Sequence, residues 1–227
     1  TVADEKRPQS LHAYFVRAGR PGIDIAFEVE RTRDGRSFDT RRVTATQGDE
    51  VILELLSSFH RSEVDVDTHP PAPPSAGGER APRADGPGDL SSRFELRSAR
   101  GSSSFSGPPY WLRFRDTIAD TPLVRACAVT YISDMGLMAA ARPPGTVLAF
   151  QEGSIAASLD HAVWFHRPFD PSRWHRYEAE NLNNNDSRGL ARGALYDQDS
   201  RLIASMVQEA LWRTPAPEPS PSEGAPR

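Results

Sequence analysis

A single cysteine, Cys127, stands in 227 residues. The chain therefore cannot close a disulfide on itself or build a thiol-rich metal site, and such usage fits a reducing, cytoplasmic setting. The apolar neighbours of Cys127 predict a core thiol rather than a nucleophile. Positive charge is not in surplus: 27 Lys and Arg stand against 31 Asp and Glu, a formal net charge of −4. No basic face offers itself to phosphates, and no nucleic-acid partner is expected. No apolar run reaches the roughly 18 residues of a membrane span, and no charged and apolar leader opens the chain, so neither a membrane partner nor secretion is expected. Aromatics make up 8% and hydrophobic residues 37%. That is low, but part of the deficit lies in segments that read as linker and tail. The last residues, Gly224-Ala225-Pro226-Arg227, are not an SKL-type peroxisomal address.

What is present is a series of strands. The length suits one large or two smaller domains. After nine polar, loose residues, Ser10 to Gly19 is rich in aromatic and β-branched residues and predicts a strand. In Ile23 to Arg31, Ile25, Phe27 and Val29 alternate with Ala26, Glu28 and Glu30, the pattern of a half-buried strand. Turn signals at Pro21-Gly22, Arg33-Asp34-Gly35 and Gln47-Gly48-Asp49 separate these from strands at Ser37 to Thr46 and Val51 to Phe59. The expectation is a four-stranded antiparallel meander. Pro70, Pro71, Pro73, Pro74, Pro82 and Pro87 then mark a linker unable to join a sheet or helix interior. Strands resume at Phe94 to Arg97 and Tyr110 to Arg115, around a Gly/Ser-rich loop at 101–107. Four more are expected at Ser158 to Phe169, Trp174 to Leu182, Arg188 to Asp197 and Leu202 to Arg213. The domains so delimited are 1–63, a linker at 64–89, a second domain at 90–214, and a disordered Pro-rich tail at 215–227.

One helix interrupts the strands, between Thr117 and Ala141. Thr121 can cap its start, Pro122 suits a first helical position, and Arg142-Pro143-Pro144-Gly145 ends it. Leu123, Cys127, Thr130, Asp134 and Met138 share one face. The other faces carry Ala126, Ala128, Val129, Ile132 and Leu137, so the helix is apolar nearly all round and should be wrapped by a sheet. An ionised Asp134 there is costly unless it is hydrogen-bonded or working. It either satisfies a local turn or acts in chemistry.

The two halves echo each other. SLHAYFVR from Ser10 answers SLDHAVWFHR from Ser158, FEVER answers YEAEN, and Arg36 to Arg61 lies over Arg188 to Arg213 without a gap. The second copy has a helix before its four strands; the first has only nine residues there. The first sheet's face should therefore be uncovered. Because the chain begins at Thr1 and not Met, the expectation is that this helix lies in a truncated or unseen start. A helix before a curved antiparallel sheet, duplicated in one chain, is the α+β double hot-dog plan, two helix-wrapped sheets in tandem, with the first copy lacking its helix.

SLHAYFVRAG, ERTRDGRSFDTRRV, CAVTYISDM, SLDHAVWFHRPF, RGLARG and ASMVQEALWR together resemble the TesB-type acyl-CoA thioesterase II family, in that family's order and over most of Ser10 to Arg213. The resemblance implies hydrolysis of medium- to long-chain fatty acyl-CoA to free acid and CoA, with no cofactor or metal and with a homo-oligomer formed through sheet edges. It implies a water held by a helix Asp, a hydroxyl before an Asp-His pair, and a Gln on the last strand, which here fall on Asp134, Ser158 and Gln208. Such groups suit an activated thioester: a carboxylate accepts the water's proton, and a hydroxyl and an amide fix its approach. Gln208 lies over Leu56 of the first copy, so one catalytic constellation per chain is expected.

Other features read more blandly. On a strand His161 faces away from Asp160 and His166, so the histidines do not converge on a metal; Asp160 and His161 are expected to make cross-strand or inter-subunit hydrogen bonds. His175 reads as structural and Asn183 to Asp186 as a loop. Arg188 and Arg192 read as exposed strand residues before CoA-phosphate ligands. Two alternatives stay open. A hot-dog hydratase or dehydratase usually needs a His near its acid, and none lies in the helix of Asp134. An inactive acyl-CoA-binding scaffold would follow if the first copy were too incomplete to pair.

Overall fold

Among the described residues, eleven strands and one long helix follow most of that pattern. The computed structural model describes residue 2 and residues 5–74, 78–84, 92–99, 107–145 and 154–213. The expected tail, the end of the linker at 85–89 and most of the Gly/Ser-rich loop at 101–106 lie outside the described residues. The strands are β1 (Lys6–Phe15), β2 (Ala26–Asp34), β3 (Phe38–Gln47), β4 (Glu50–Arg61), β5 (Phe94–Ser98) and β6 (Tyr110–Phe114). After helix α1 (Pro122–Ala140) come β7 (Ile155–Ser158), β8 (Asp160–Phe165), β9 (His175–Asn185), β10 (Arg188–Tyr196) and β11 (Leu202–Arg213). All lie in one sheet of order β2-β3-β4-β1-β8-β11-β10-β9-β6-β5, with β7 also on β11.

The first four strands are not the expected meander. β1 pairs with β4 and β8 rather than with β2. The tight turns after Asp34 and at Gly48-Asp49 make hairpins of β2, β3 and β4, whereas the connection 16–25 is long enough to cross to another edge. Nor is the start loose, for β1 begins at Lys6. The Lys6 ammonium is buried, 2.5 Å from the Asp39 carboxylate and from the Gly35 carbonyl.

The linker is partly absorbed as well. Ala84 N–H donates to the Leu96 carbonyl (3.1 Å) and Ser98 N–H to the Pro82 carbonyl (2.9 Å), so 82–84 flanks β5. Pro82 contributes only an acceptor, which the sheet's outer margin tolerates.

The order β2-β3-β4-β1 is repeated as β9-β10-β11-β8, and the two runs meet at β1–β8. The gap-free overlay of Arg36 to Arg61 on Arg188 to Arg213 does not survive the registers. β3 and β4 close at Gln47 opposite Glu50, but the β10–β11 turn runs from Asp197 to Arg201. Leu56 consequently stands opposite His12, on the face away from α1, and is half exposed. Gln208 is fully buried on the α1 side. A one-residue slip turns a strand residue to the other face.

α1 crosses the second run. Thr121 Oγ1 accepts from Val124 N–H (3.2 Å), and Pro122 opens the helix as expected. Ile132 and Leu137 join Val163, Tyr177, Ala191, Leu195 and Met206 in the main core. Two glycines permit the close approach: a Cβ on Gly136 would lie 2.5 Å from the Tyr177 ring, and one on Gly189 would lie 1.7 Å from the Ala141 carbonyl oxygen. Asn183 to Asn185 are the end of β9 rather than a loop. Asn181 and Asn184 donate side-chain N–H groups to the carbonyls of Ala140, Ala141 and Arg142, satisfying the helix's terminal acceptors. The turn itself is Asp186-Ser187, with φ of 49° and 56°, the left-handed pair of a two-residue hairpin.

Among the described residues the helix is covered mainly on one side. Leu123 is 56% exposed and Tyr131 42%, and Cys127 and Asp134 are exposed, so Cys127 is not a core thiol. The stripe Leu123–Cys127–Thr130–Asp134 points largely away from the second run. Over the first run the expected bareness is present: β2 is exposed along its whole length, with Phe27 at 65%. α1 also corrects the membrane-length expectation. It has 19 residues, and an 18-residue stretch of it with a mean hydropathy of 1.3 makes it long and apolar enough to cross a membrane by length and composition. An average tolerates Arg125 and Asp134 where an unbroken run does not.

Candidate active site

The polar centre lies where α1, β8 and β11 meet. Strand alternation sends His161 and Val163 of β8 toward the helix, and Gln208 and Ala210 of β11 likewise. His161 is 3% exposed. The strand expected over Ser158 to Phe169 is broken at Leu159, whose N–H donates to Glu209 C=O (2.9 Å). The Asp160 carboxylate accepts from Glu209 N–H (2.7 Å). This irregularity lets β7 and β8 pair in turn with β11 and brings Ser158 to Gln208.

A single file of hydrogen bonds results. Gln208 Nε2 donates to Ser158 Oγ at 2.5 Å, and Gln208 Oε1 meets His161 Nδ1 at 2.9 Å. His161 Nε2 meets Ser133 Oγ at 2.7 Å, and Ser133 Oγ lies 2.8 Å from the Thr130 carbonyl one turn earlier. The Tyr177 hydroxyl donates to the Ser133 carbonyl at 2.7 Å, pinning that turn to β9. Asp134 is next in the chain. Its carboxylate lies on the exposed side of α1 and makes no hydrogen bond or ion pair among the described residues. Burial pushes the His161 imidazole below its ordinary pKa, against the opposing effects of the Asp134 charge, the Gln208 hydrogen bond and Asp160. Burial raises the Tyr177 hydroxyl, with Tyr110 and then Asp134 adding to it.

Of the three expected residues, the structure thus joins Ser158 to Gln208 directly. Asp134 stands beside them through its field on His161, not through a bond. Sequence reasoning had not brought in His161, Ser133 or Tyr177. The expected cross-strand hydrogen bonds of Asp160 and His161 are present, to Glu209 and Gln208, but the contact of His161 with the helix was not foreseen. The signal was the alternation of β8, which turns His161 inward with Val163. The absence of a His within α1 was no guide, since this one arrives from a strand. Both of its nitrogens are engaged and its ring is buried, which does not leave a free base for a hydratase.

The remaining candidates stay apart. His166 bonds Ser205 Oγ (2.9 Å) on the opposite face from His161. His175 donates Nδ1–H to the Arg173 carbonyl (3.0 Å), and burial takes it down to about 4. Arg188, expected to be exposed, is half-buried and pairs with Glu209, whereas Arg192 pairs with Glu180 at an exposed site. A cavity of about 600 Å³ opens one helical turn from Ser133. Pro8, Val129, Phe165 and Phe169 give it apolar walls, and Arg7 and Arg125 line it too.

A large antiparallel sheet packed on one long helix is consistent with the hot-dog fold. A hot-dog protein from Alicyclobacillus acidocaldarius shares the fold, with a TM-score of 0.68 at 19% identity over 92% of this chain and 80% of that one. Family models for the acyl-CoA thioesterase N-terminal and C-terminal domains match residues 1–60 and 65–212. The chain belongs to the TesB-type acyl-CoA thioesterase family. It is 32% identical to acyl-CoA thioesterase 2 of Haemophilus influenzae over 93% of this chain and 82% of that protein. The acyl-CoA thioesterase II TesB2 of Mycobacterium marinum superposes with a TM-score of 0.81 at 33% identity, over 95% of this chain and 84% of that one.

Proposed function

We propose that this protein hydrolyses medium- to long-chain fatty acyl-CoA thioesters to free acid and CoA, through a water held by Asp134, Ser158 and Gln208. The observation that carries the reading is the Ser158–Gln208 hydrogen bond beneath the helix bearing Asp134. A half-buried hydroxyl and a buried amide held to each other present a fixed set of donors and acceptors. In the proposed step the water oxygen bonds to the thioester carbon while Asp134 accepts its proton. The carbonyl oxygen gathers negative charge and is met by N–H or O–H donors. The carbon–sulfur bond then breaks, and the CoA thiolate leaves and is protonated. The apolar walls of the neighbouring cavity suit an acyl chain; its charged lining is mixed, with Arg7, an Arg125 paired to Asp120, and Glu63 and Asp65.

We also infer a double hot-dog, supported by the repeated strand order on either side of β1–β8. The first run then serves as a structural partner without its own site. Pairing of copies through exposed sheet edges such as β2 is part of this reading, as is a cytoplasmic setting. The test is free-thiol release from a panel of acyl-CoAs, short to long. Turnover that rises with chain length toward the medium and long members is expected. A folded protein that releases no thiol from any member would instead be an acyl-CoA-binding scaffold.

A further inference from the structure

We propose that His161 is a positioning residue for the proposed hydrolysis: as the Nδ1–H tautomer it sets the Gln208 amide so that its NH₂ group faces Ser158. This leaves the Ser158 hydroxyl hydrogen free for the reacting water or thioester. The inference rests on the hydrolytic reading above and goes beyond it in naming a residue and a proton arrangement.

The argument is a count of hydrogens along the file. A neutral imidazole carries one N–H, and its other nitrogen accepts. Burial favours the neutral form of His161. If Nδ1 holds the hydrogen, it donates to Gln208 Oε1 at 2.9 Å. The amide NH₂ then points to Ser158 Oγ at 2.5 Å, and that oxygen accepts. The Ser158 hydroxyl hydrogen is not consumed within the file. At the other end His161 Nε2 accepts the Ser133 hydroxyl hydrogen at 2.7 Å. Ser133 gives up little by turning from the Thr130 carbonyl, because that carbonyl is also the acceptor for the helical N–H four residues on.

If Nε2 holds the hydrogen instead, every arrow reverses. Nε2–H donates to Ser133 Oγ, and the Ser133 hydrogen returns to Thr130 C=O (2.8 Å). Nδ1 must then accept, which it can do only from the Gln208 NH₂. The amide is turned over, Oε1 faces Ser158, and the serine hydroxyl hydrogen is spent on it. The Ser158 side of the pair would no longer have a hydrogen to give. One ring at 3% exposure, in contact with helix and strand together, therefore decides whether Ser158 can donate outward. Tyr177, holding the Ser133 carbonyl from β9, keeps the helix end of the file in place.

The experiment has two arms. Nitrogen-15 NMR of the ring-labelled, full-length protein reads the His161 tautomer directly, with His161→Asn as the assignment control. Nδ1 protonated and Nε2 bare is the expected result; Nε2 protonated and Nδ1 bare overturns the proposal. Kinetics with acyl-CoA form the second arm. His161→Asn retains an N–H near the Nδ1 position and should keep kcat within about tenfold. His161→Gln places its N–H near Nε2, toward Ser133, and should lose on the order of 10²-fold in kcat with KM nearly unchanged, the signature of lost orientation. A purely structural His161 would instead lower both variants alike or raise KM, and that outcome also overturns the proposal. If either variant fails to fold, the wild-type tautomer still decides. No thiol release by wild type refutes the hydrolytic reading itself, whereas full turnover with an Nε2–H tautomer refutes only the role given to His161.

Discussion

Replacement of Asp134 by Asn separates chemistry from folding. The carboxylate is exposed and makes no hydrogen bond or ion pair among the described residues. Removing its charge should therefore move stability by no more than about 0.5 kcal/mol, or roughly 1–2 °C in Tm for a domain of this size. If Asp134 accepts the proton of the attacking water, the same change removes a general base. Such bases contribute about 10²–10⁴-fold, so kcat/KM should fall at least 10²-fold, a barrier increase of about 2.7 kcal/mol. The change also withdraws the negative charge that opposes desolvation at His161, so that ring stays neutral and the file above it is unaltered. The assay is thiol release at several acyl-CoA concentrations, with a thermal melt on the same preparation. Activity within about threefold of wild type at unchanged Tm would refute the base assignment. A large drop in Tm would show that the carboxylate does structural work that the geometry does not account for.

Three further outcomes follow from the packing and burial around the helix. Tyr177→Phe removes the hydrogen bond to the Ser133 carbonyl from a fully buried ring; it should cost about 1 kcal/mol, read as a fall in the urea midpoint, and an unchanged midpoint would contradict it. Gly189→Ala would drive a Cβ to 1.7 Å from the Ala141 carbonyl oxygen, which backbone must move to relieve. A loss of about 3 kcal/mol or a failure to fold is expected, and a wild-type melt would refute the close approach. His175, with its pKa pushed by burial down to about 4, binds no proton in the fold between about pH 6.5 and 4 while the unfolded chain does. Stability should therefore fall as pH falls through that window, by up to about 3 kcal/mol. In His175→Asn that part of the pH slope should vanish, as read by urea unfolding at pH 7, 5.5 and 4, and an unchanged slope would refute it.

Local chemistry in the sequence was enough to place the elements. The alternation of Ile25, Phe27 and Val29, the Thr121-Pro122 start of α1 and the turns at Gly35 and Gly48 depend on neighbours a few residues apart, and β2, α1 and the hairpins follow them in place, although β2 is exposed throughout and not the half-buried strand its alternation predicts. The motifs around Asp134, Ser158 and Gln208 also pointed to the family that the whole-chain comparisons identify. Tertiary structure decided what depends on distant partners. β1 reads as a strand from its own residues, but only the sheet shows that it lies between β4 and β8. Composition makes α1 apolar nearly all round, yet exposure is set by what packs on it, so Cys127 and Asp134 lie uncovered while Ile132 is buried. The irregularity at Leu159 and the long β10–β11 turn set which face Ser158 and Gln208 occupy, and a two-residue period leaves no tolerance for a slip of one. His161 meets Ser133 and Gln208 across separations of 28 and 47 residues. No local pattern encodes that contact, because it exists only once helix and strands share a core.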